Sequence, residues 1–229
     1  MNSGRIYPHF CMMARALEEV GERWSLLIVR DLLLGPRRFT DLTQSLGGIT
    51  PTRLTERLRS LESAGIVVRE PAESGREVWY RLTEAGRDLG PVLEALSVWA
   101  VAHAFDPPRP GEPVHPDHVM HPTRIWLELH GQRPSGSPVW AWDFDDQGDY
   151  TLRLEGGQWV LDRGRTLDAA VTATTTPEAW ARFLTERGTR RLPTGDIQLR
   201  AKPAAARAFA RSFDAELEPG AVQRPSEEG

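Results

Sequence analysis

Thr50–Glu70 runs TPTRLTERLRSLESAGIVVRE, and the rest of the first hundred residues is best understood outward from it. Thr50 is a good helix cap and Pro51 suits the first helical position. Leu54, Leu58 and Leu61 recur at i, i+4 and i+7, which puts them on one side of a helix. Gly65 ends that helix, and the β-branched run IVVRE at 66–70 opens a strand. With the leucines turned inward, the opposite arc carries Thr52, Arg53, Glu56, Arg59 and Ser60, with Arg57 on its flank. The spacing therefore predicts an amphipathic helix whose outer side is rich in arginine.

The flanking segments supply the context. CMMARALEEVG (11–21) has helical spacing and a stopping glycine, Gly21. WSLLIVRDLLLG (24–35) is apolar nearly all round, as a central buried helix should be, and Gly35 and Pro36 end it. FTDLTQSLGG (39–48) is a short helix with Thr40 as its expected N-cap. After the quoted stretch, PAESG (71–75) is a hairpin turn and REVWYRL (76–82) a second strand. Thr83 caps a long helix to about His103, with Leu89, Val92, Leu93, Leu96 and Trp99 on one face.

Short helix, Gly-containing turn, amphipathic helix and two-stranded ribbon together make a winged helix-turn-helix. In such a unit the second helix enters the DNA major groove with its N-terminal residues at base edges. Thr52 and Arg53 are best placed for that. Arginine can fork onto guanine O6 and N7, and a threonine methyl can touch thymine. Arg57 and Arg59 fit phosphate contacts, which set register rather than sequence. Arg37, Arg38 and Thr40 at the preceding helix entrance are further phosphate candidates. Thr50 and Glu56 complete that face, and Arg76, just past the wing turn, can reach the minor groove or flanking backbone. The alternative is a solvated face in which the arginines pair with Glu56 and Glu62.

CMMARALEEVGERWSLLIVRDLLLGPRRFTDL, GITPTRLTERLRSLESAGIVVRE and YRLTEAGRDLGPVLEALSVWA, taken together, resemble the HxlR-type winged-helix transcriptional regulators over residues 11–102. The resemblance implies a homodimer on a near-palindromic operator in double-stranded DNA. Its first and last helices form the dimer contact, here MMARALEEV and PVLEALSVWA; burial in the monomer core accounts equally simply for part of each. Many members respond to small molecules or oxidants, and a cysteine at the start of the first helix can sense oxidation. That makes Cys11 a redox candidate, since a helix N-terminus also favours thiolate; a small buried residue near the dimer seam is the simpler alternative. Few members carry a large further domain, and here the chain departs from the common pattern.

FDPPRPGEPVHPDH (105–118) holds five prolines and is expected to be an extended linker. Beyond it, SPVWAWDFDD and DYTLRLEGG alternate as strands do, QWVLDRG and DAAVTATT are two more short strands, and Gly156-Gly157 is a tight-turn signal. TPEAWARFLTERG is a helix capped by Thr176, and GDIQLRAKPAAARAFARSF a strand followed by a helix. The expectation is a mostly antiparallel sheet with helices on one face, making the whole chain an α+β multidomain protein. DAAVTATTTPEAWARFL and LPTGDIQLRAKPAAARAFARSF resemble the sterol carrier protein type 2 fold over about residues 120–215. In that fold a threonine-rich strand leads to a helix, a Gly-Asp strand and a final helix. The resemblance implies an apolar tunnel for a lipid or other hydrophobic small molecule, with Trp140, Trp142, Phe144, Leu152, Trp180, Phe183, Leu184 and Phe209 as the expected lining. The plain alternative is that these residues are simply core. The domains expected are 1–105 (DNA-binding and dimerisation), 106–118 (linker), 119–215 (small-molecule-binding) and 216–229 (disordered tail).

The composition bounds these readings. Residues 1–105 hold 13 arginines and 13 acidic residues, so the net charge of −4 lies entirely in the second half. That balance argues against a non-specific nucleic-acid coat. One cysteine permits no internal disulfide, no apolar run approaches the roughly 18 residues that span a membrane, and no signal peptide opens the chain. The cytoplasm is the expected compartment, without membrane insertion. The sole lysine, Lys202, is not in a Walker loop, and no nucleophile elbow or dinucleotide fingerprint occurs. No enzyme activity, cofactor or metal is expected. HPDHVMH (115–121) groups His115, Asp117, His118 and His121 but has no zinc-site spacing, so it is taken as polar linker. A lipid carrier using the winged helix only as a dimer scaffold, or a second half that only contacts protein, are the rival readings.

Overall fold

The structure, a computed structural model, describes residues 7–71, 77–186, 188–218 and 222–223. The chain divides into two compact units, Met1–Leu96 and Ser97–Gly229. The division falls inside a helix, earlier than the expected boundary at residue 105.

In the first unit, α1 (Met12–Val20), α2 (Ser25–Leu33), α3 (Phe39–Leu46) and α4 (Pro51–Ser63) precede a small sheet. The sheet has the order β1-β3-β2, with β1 (Arg37–Arg38), β2 (Val67–Pro71) and β3 (Val78–Leu82) all antiparallel. α2 is the central helix: Ile28, Val29 and Leu32 are buried against Leu42, Leu54, Leu58, Leu61 and Leu82. Buried Asp31 of α2 accepts hydrogen bonds from Ser45 on α3 and from the neighbouring Arg30. Gly47 and Gly48, at φ 52° and 72°, make the tight turn from α3 to α4.

Two expectations change here. Thr40 is not the cap of α3: the helix starts at Phe39, and the Asp41 carboxylate accepts from the Arg38 backbone N–H at 2.9 Å. The N-cap is Arg38, and Thr40 lies inside the first turn, where its hydroxyl donates to Asp41 Oδ1 at 3.4 Å. The long helix after Thr83 is two helices, α5 (Glu84–Arg87) and α6 (Gly90–His103). Thr83 does cap α5, its Oγ1 accepting from Gly86 N at 3.1 Å. The break follows from Pro91, which has no N–H to continue the ladder. The tip of the wing, residues 72–76, lies outside the described residues.

After the end of α6, the second unit holds α7 (Pro116–Leu129) and a five-stranded sheet of order β6-β5-β4-β7-β9. Its strands are β4 (Val139–Asp143), β5 (Asp149–Glu155), β6 (Gln158–Arg163), β7 (Val171–Thr175) and β9 (Ile197–Ala201). Within this sheet β4 and β7 pair in parallel and the other neighbours antiparallel. Gly156 and Gly157, at φ 56° and 83°, close the β5–β6 hairpin. α8 (Pro177–Thr185) and α9 (Pro203–Ser212) follow β7 and β9.

The linker and tail expectations are corrected here. α7 occupies the end of the expected polar linker, with His115 at its N-cap and Pro116 at N1. Its Val119, Met120, Ile125, Trp126 and Leu127 are buried, and Phe105 and Val114 from the proline-rich stretch pack on the same core. Glu216 and Leu217, expected to be disordered, belong to β10 (Ala215–Leu217), which pairs in parallel with β8 (Arg190–Leu192). Gln223 also pairs: Ala201 N–H donates to its carbonyl at 2.9 Å.

Arg190 ties these pieces together. Its guanidinium donates to the carbonyls of Phe183, Leu184 and Phe213 at 3.1–3.3 Å and lies over Trp126 at 4.9 Å. It thus caps the C-terminal ends of α8 and α9, where orphan carbonyls and the helix dipoles favour a cation. Burial pulls its pKa down, opposed by the fields of Asp214 and Glu186; an arginine stays charged regardless. Arg190→Ala should lower the stability of this unit by about 2 kcal/mol in urea unfolding. Arg190→Lys should recover only part, since one ammonium lacks the planar fork. An unchanged midpoint in both would remove this capping role.

Candidate nucleic-acid interface

α4 is built from its leucines outward. Leu54, Leu58 and Leu61 are 0%, 2% and 0% exposed, so the helix has one rotational setting. Thr50 Oγ1 accepts from Arg53 N at 3.3 Å and closes the first turn, with Pro51 in the first helical position. That setting leaves Thr50, Thr52, Arg53, Glu56 and Arg59 exposed and brings them onto one surface.

The arginines proposed for DNA differ in what they already hold. Among the described residues neither Arg53 nor Arg59 forms an ion pair, so the pairing with Glu56 and Glu62 that a merely solvated face would show is not made. Arg57 is different. Its side chain is only 13% exposed and lies 3.9 Å from Glu22, in the turn after α1. Arg38 is the most engaged. It bonds Glu77 at 2.9 Å and Asp41 at 3.4 Å and lies over Trp79 at 5.4 Å, joining α3 to β3. The hydrogen bonds to Glu77 and then Asp41 hold its guanidinium above the usual range. Burial alone would raise the Asp41 carboxyl, but the Arg38 backbone and side-chain bonds outweigh it and hold the pKa down. Arg37 lies in β1, opposite Tyr80, and Thr40 is exposed in the first turn of α3. Arg76 lies outside the described residues.

One neighbour was not anticipated. Glu22, Arg23 and Trp24 form the turn between α1 and α2, and with Gly48–Thr50, Arg53 and Arg57 they line a depression of about 320 Å³. Trp24 holds φ 82°, a left-handed setting rare for a bulky residue, and Arg23 lies 5.0 Å over its ring. No local pattern signals that backbone setting: in the sequence Trp24 is only the first residue of an apolar run.

Elsewhere, Cys11 is the N-cap residue of α1, partly exposed and free, with no side-chain cap bond. In the His-rich segment, the Asp117 carboxylate is taken by Tyr150 Oη at 2.7 Å and by Arg163. Among the described residues no group of three or more His, Cys, Asp or Glu could hold a metal. No helix among them is long and apolar enough to cross a membrane. The eight residues expected to line a tunnel lie in one buried cluster: each is under 5% exposed, and the rings of Trp140, Trp142, Trp180, Phe183 and Phe209 pack on one another. Phe183 also borders an open cleft of about 620 Å³ beside α8 and the Thr194–Ile197 segment.

The profile of the family described as HxlR-like helix-turn-helix matches residues 19–106, the stretch that carries this surface. An uncharacterized HTH-type transcriptional regulator of Mycobacterium tuberculosis, Rv3095, is 46% identical over 108 residues, 46% of this chain and 66% of that protein. The chain thus spans just under two thirds of that mycobacterial relative. The uncharacterized HTH-type regulator YvaP of Bacillus subtilis is 36% identical over 101 residues, 44% of this chain and 91% of its own length. Among solved structures, the reduced form of the transcriptional regulator YodB from B. subtilis is 36% identical over 42% of this chain and 95% of its own, with a TM-score of 0.38. The identity to relatives that are matched over most of their length carries the assignment: the chain belongs to the HxlR-like helix-turn-helix family.

Proposed function

We propose that the chain is a dimeric, cytoplasmic, sequence-specific DNA-binding transcriptional regulator whose second unit takes a hydrophobic effector. The single observation that supports DNA binding most is the α4 surface: unpaired Arg53 and Arg59 beside Thr52, backed by fully buried leucines. In the proposed complex the N-terminal turn of α4 sits in the major groove, Arg53 forks onto a guanine and Thr52 meets a neighbouring base. Arg57, Arg59, Arg37 and Arg38 lie toward phosphates; Arg38 would exchange Glu77 for one. The relatives' names as HTH-type transcriptional regulators support the same reading.

Dimerisation through the first and last helices of the family module is supported by exposed apolar side chains. Phe10, Met12, Met13 and Leu17 at α1 and Val92, Leu96 and Trp99 on α6 are 41–83% exposed. A two-fold dimer would place two α4 helices on half-sites about one helical turn apart, hence a near-palindromic operator.

The effector part rests on the second unit. The order β7, α8, β8, β9, α9, with Gly195-Asp196 just before β9, is compatible with the sterol-carrier resemblance, to which β8 is an addition. Of the eight residues proposed as lining, Phe183 borders the cleft, and its ring meets those of Trp180 and Phe213. A ligand favouring one setting of the protein would shift operator affinity by linkage. One observation favours the rival, a ligand-free protein-contact unit: the rings of Trp140, Trp142, Trp180 and Phe209 fill the space between them. Native mass spectrometry decides between the two, co-purified lipid or another small molecule excluding the empty unit.

Gel shifts with the DNA flanking the protein's own gene test the DNA reading. Arg53→Ala should relax preference at one base pair per half-site, costing about 1–3 kcal/mol there. Arg59→Ala should weaken binding to every sequence alike and reduce the salt slope by about 1. Equal losses for both variants on all operator variants would show the roles to be misassigned. For the dimer, Leu96→Glu and Met13→Glu should each yield monomers in analytical ultracentrifugation and lower operator affinity at least about tenfold. A dimer that persists in both variants would move the interface elsewhere.

A further inference from the structure

Thr50, Arg53 and Arg57 follow one another at i, i+3 and i+7, so they form one side of α4. The turn between α1 and α2 meets that side: Glu22, Arg23 and Trp24 line the 320 Å³ depression together with them. The charged residues on this lining are three arginines and one glutamate. Its field therefore favours an anion, in a module whose acids and bases balance overall.

The three arginines are held differently. Arg57 is mostly buried, 3.9 Å from Glu22 and beyond hydrogen-bond distance. Arg53 is the residue assigned above to a base. Arg23 is exposed, and among the described residues it forms no ion pair. Its guanidinium lies 5.0 Å over the ring of Trp24. That contact attracts the charge without occupying the N–H donors in conventional hydrogen bonds. Trp24 is itself fixed. It packs against the core of the first unit and holds φ 82°, a setting that strains a bulky residue and that glycine would adopt freely. Strain of this kind persists where the placement of a side chain matters.

We propose that the turn between α1 and α2 is a further DNA-contacting element, in which Arg23, carried on the Trp24 ring, takes a backbone phosphate beside the N-terminal half of α4. The proposal rests on the DNA reading above and adds a phosphate-contacting residue to it. A helix in the major groove lies between two phosphate chains. A duplex that offers a guanine to Arg53 therefore brings a phosphate past the side of α4 on which the depression opens. Arg23 meets that phosphate with a charge-assisted fork, and Arg57 adds its charge from within the depression. Glu22 repels a phosphate at the same place, so the contact fixes register without holding every duplex strongly.

The test uses the full chain and a duplex that it selects from a random-sequence pool, with copies in which one phosphate at a time is replaced by an uncharged methylphosphonate. Arg23→Ala, a change at an exposed position, should bind the unmodified duplex about tenfold more weakly and lower the salt slope by about 1 per protomer bound. At one phosphate per half-site the wild type should be penalised by the methylphosphonate and Arg23→Ala should not be penalised further. Arg211→Ala removes the same charge from an exposed position of the second unit and should match the wild type in affinity and slope. Unchanged affinity and slope in Arg23→Ala overturns the proposal and leaves the DNA reading standing. An equal loss in Arg211→Ala does the same, because it traces the effect to net charge. Identical methylphosphonate penalties in wild type and Arg23→Ala at every position also overturn it, since Arg23 would then touch no phosphate. Failure of the wild type to select or retard any duplex at low salt defeats the DNA reading, and the proposal with it.

Discussion

Burial of Leu54, Leu58 and Leu61 is the constraint from which the first unit's surface follows. Each buried leucine contributes roughly 1.5–3 kcal/mol, so no other rotation of α4 competes. Once those three face Ile28, Val29 and Leu32 on the central helix, Thr52, Arg53, Glu56 and Arg59 have nowhere to point but solvent. The polar side of α4 is therefore presented by the core, not by any surface interaction that salt or a partner could undo. Its precision is that of a packed interior, which is what reading a base edge demands.

The arginines around that surface then sort by what holds them. Arg38 is committed to Asp41, Glu77 and the face of Trp79, and in that state it braces the small sheet against α3. Arg57 is mostly buried beside Glu22. Among the described residues Arg53 and Arg59 form no ion pair. Because acids and bases balance over residues 1–105, this is a local concentration of charge and not a basic domain. Such a distribution favours readout at a defined place over a long-range hold on any duplex.

The parts of the fold legible in the sequence are those specified by short-range periodicity. The i, i+4, i+7 leucines of α4, the alternation of Trp140, Trp142 and Leu152, Leu154, and the glycine pair at 156–157 each carry their structure locally. The parts that were not legible depend on context. Pro116 and Pro122 made α7 look like linker, although Pro116 sits where its missing N–H is harmless and Pro122 is tolerated inside a helix whose Val119, Ile125 and Trp126 are buried. β8 and β10 are three residues each and far apart in the chain, too short to show alternation. The cap of α3 turned on whether Asp41 or Thr40 reached the backbone first, and the left-handed setting of Trp24 has no sequence signature. At the candidate interface the positions of Thr52, Arg53 and Arg59 were readable from the helical wheel; the engagement of Arg38 and the burial of Arg57 depended on partners 39 and 35 positions away in the chain. Nothing local could have shown that Trp180 finds Thr123 while Trp142 finds no acceptor among the described residues.

The central claim is that the outer side of α4 meets base edges, and it is tested most directly by pairing a protein change with a DNA change. Replacing successive operator guanines by 7-deazaguanine removes the N7 acceptor and little else. Wild-type protein should lose about tenfold in affinity at one guanine per half-site, and Arg53→Ala should lose nothing further at that same guanine. An identical penalty in both proteins at every guanine would mean that Arg53 does not touch the base, and the account of α4 as the reading helix would be contradicted.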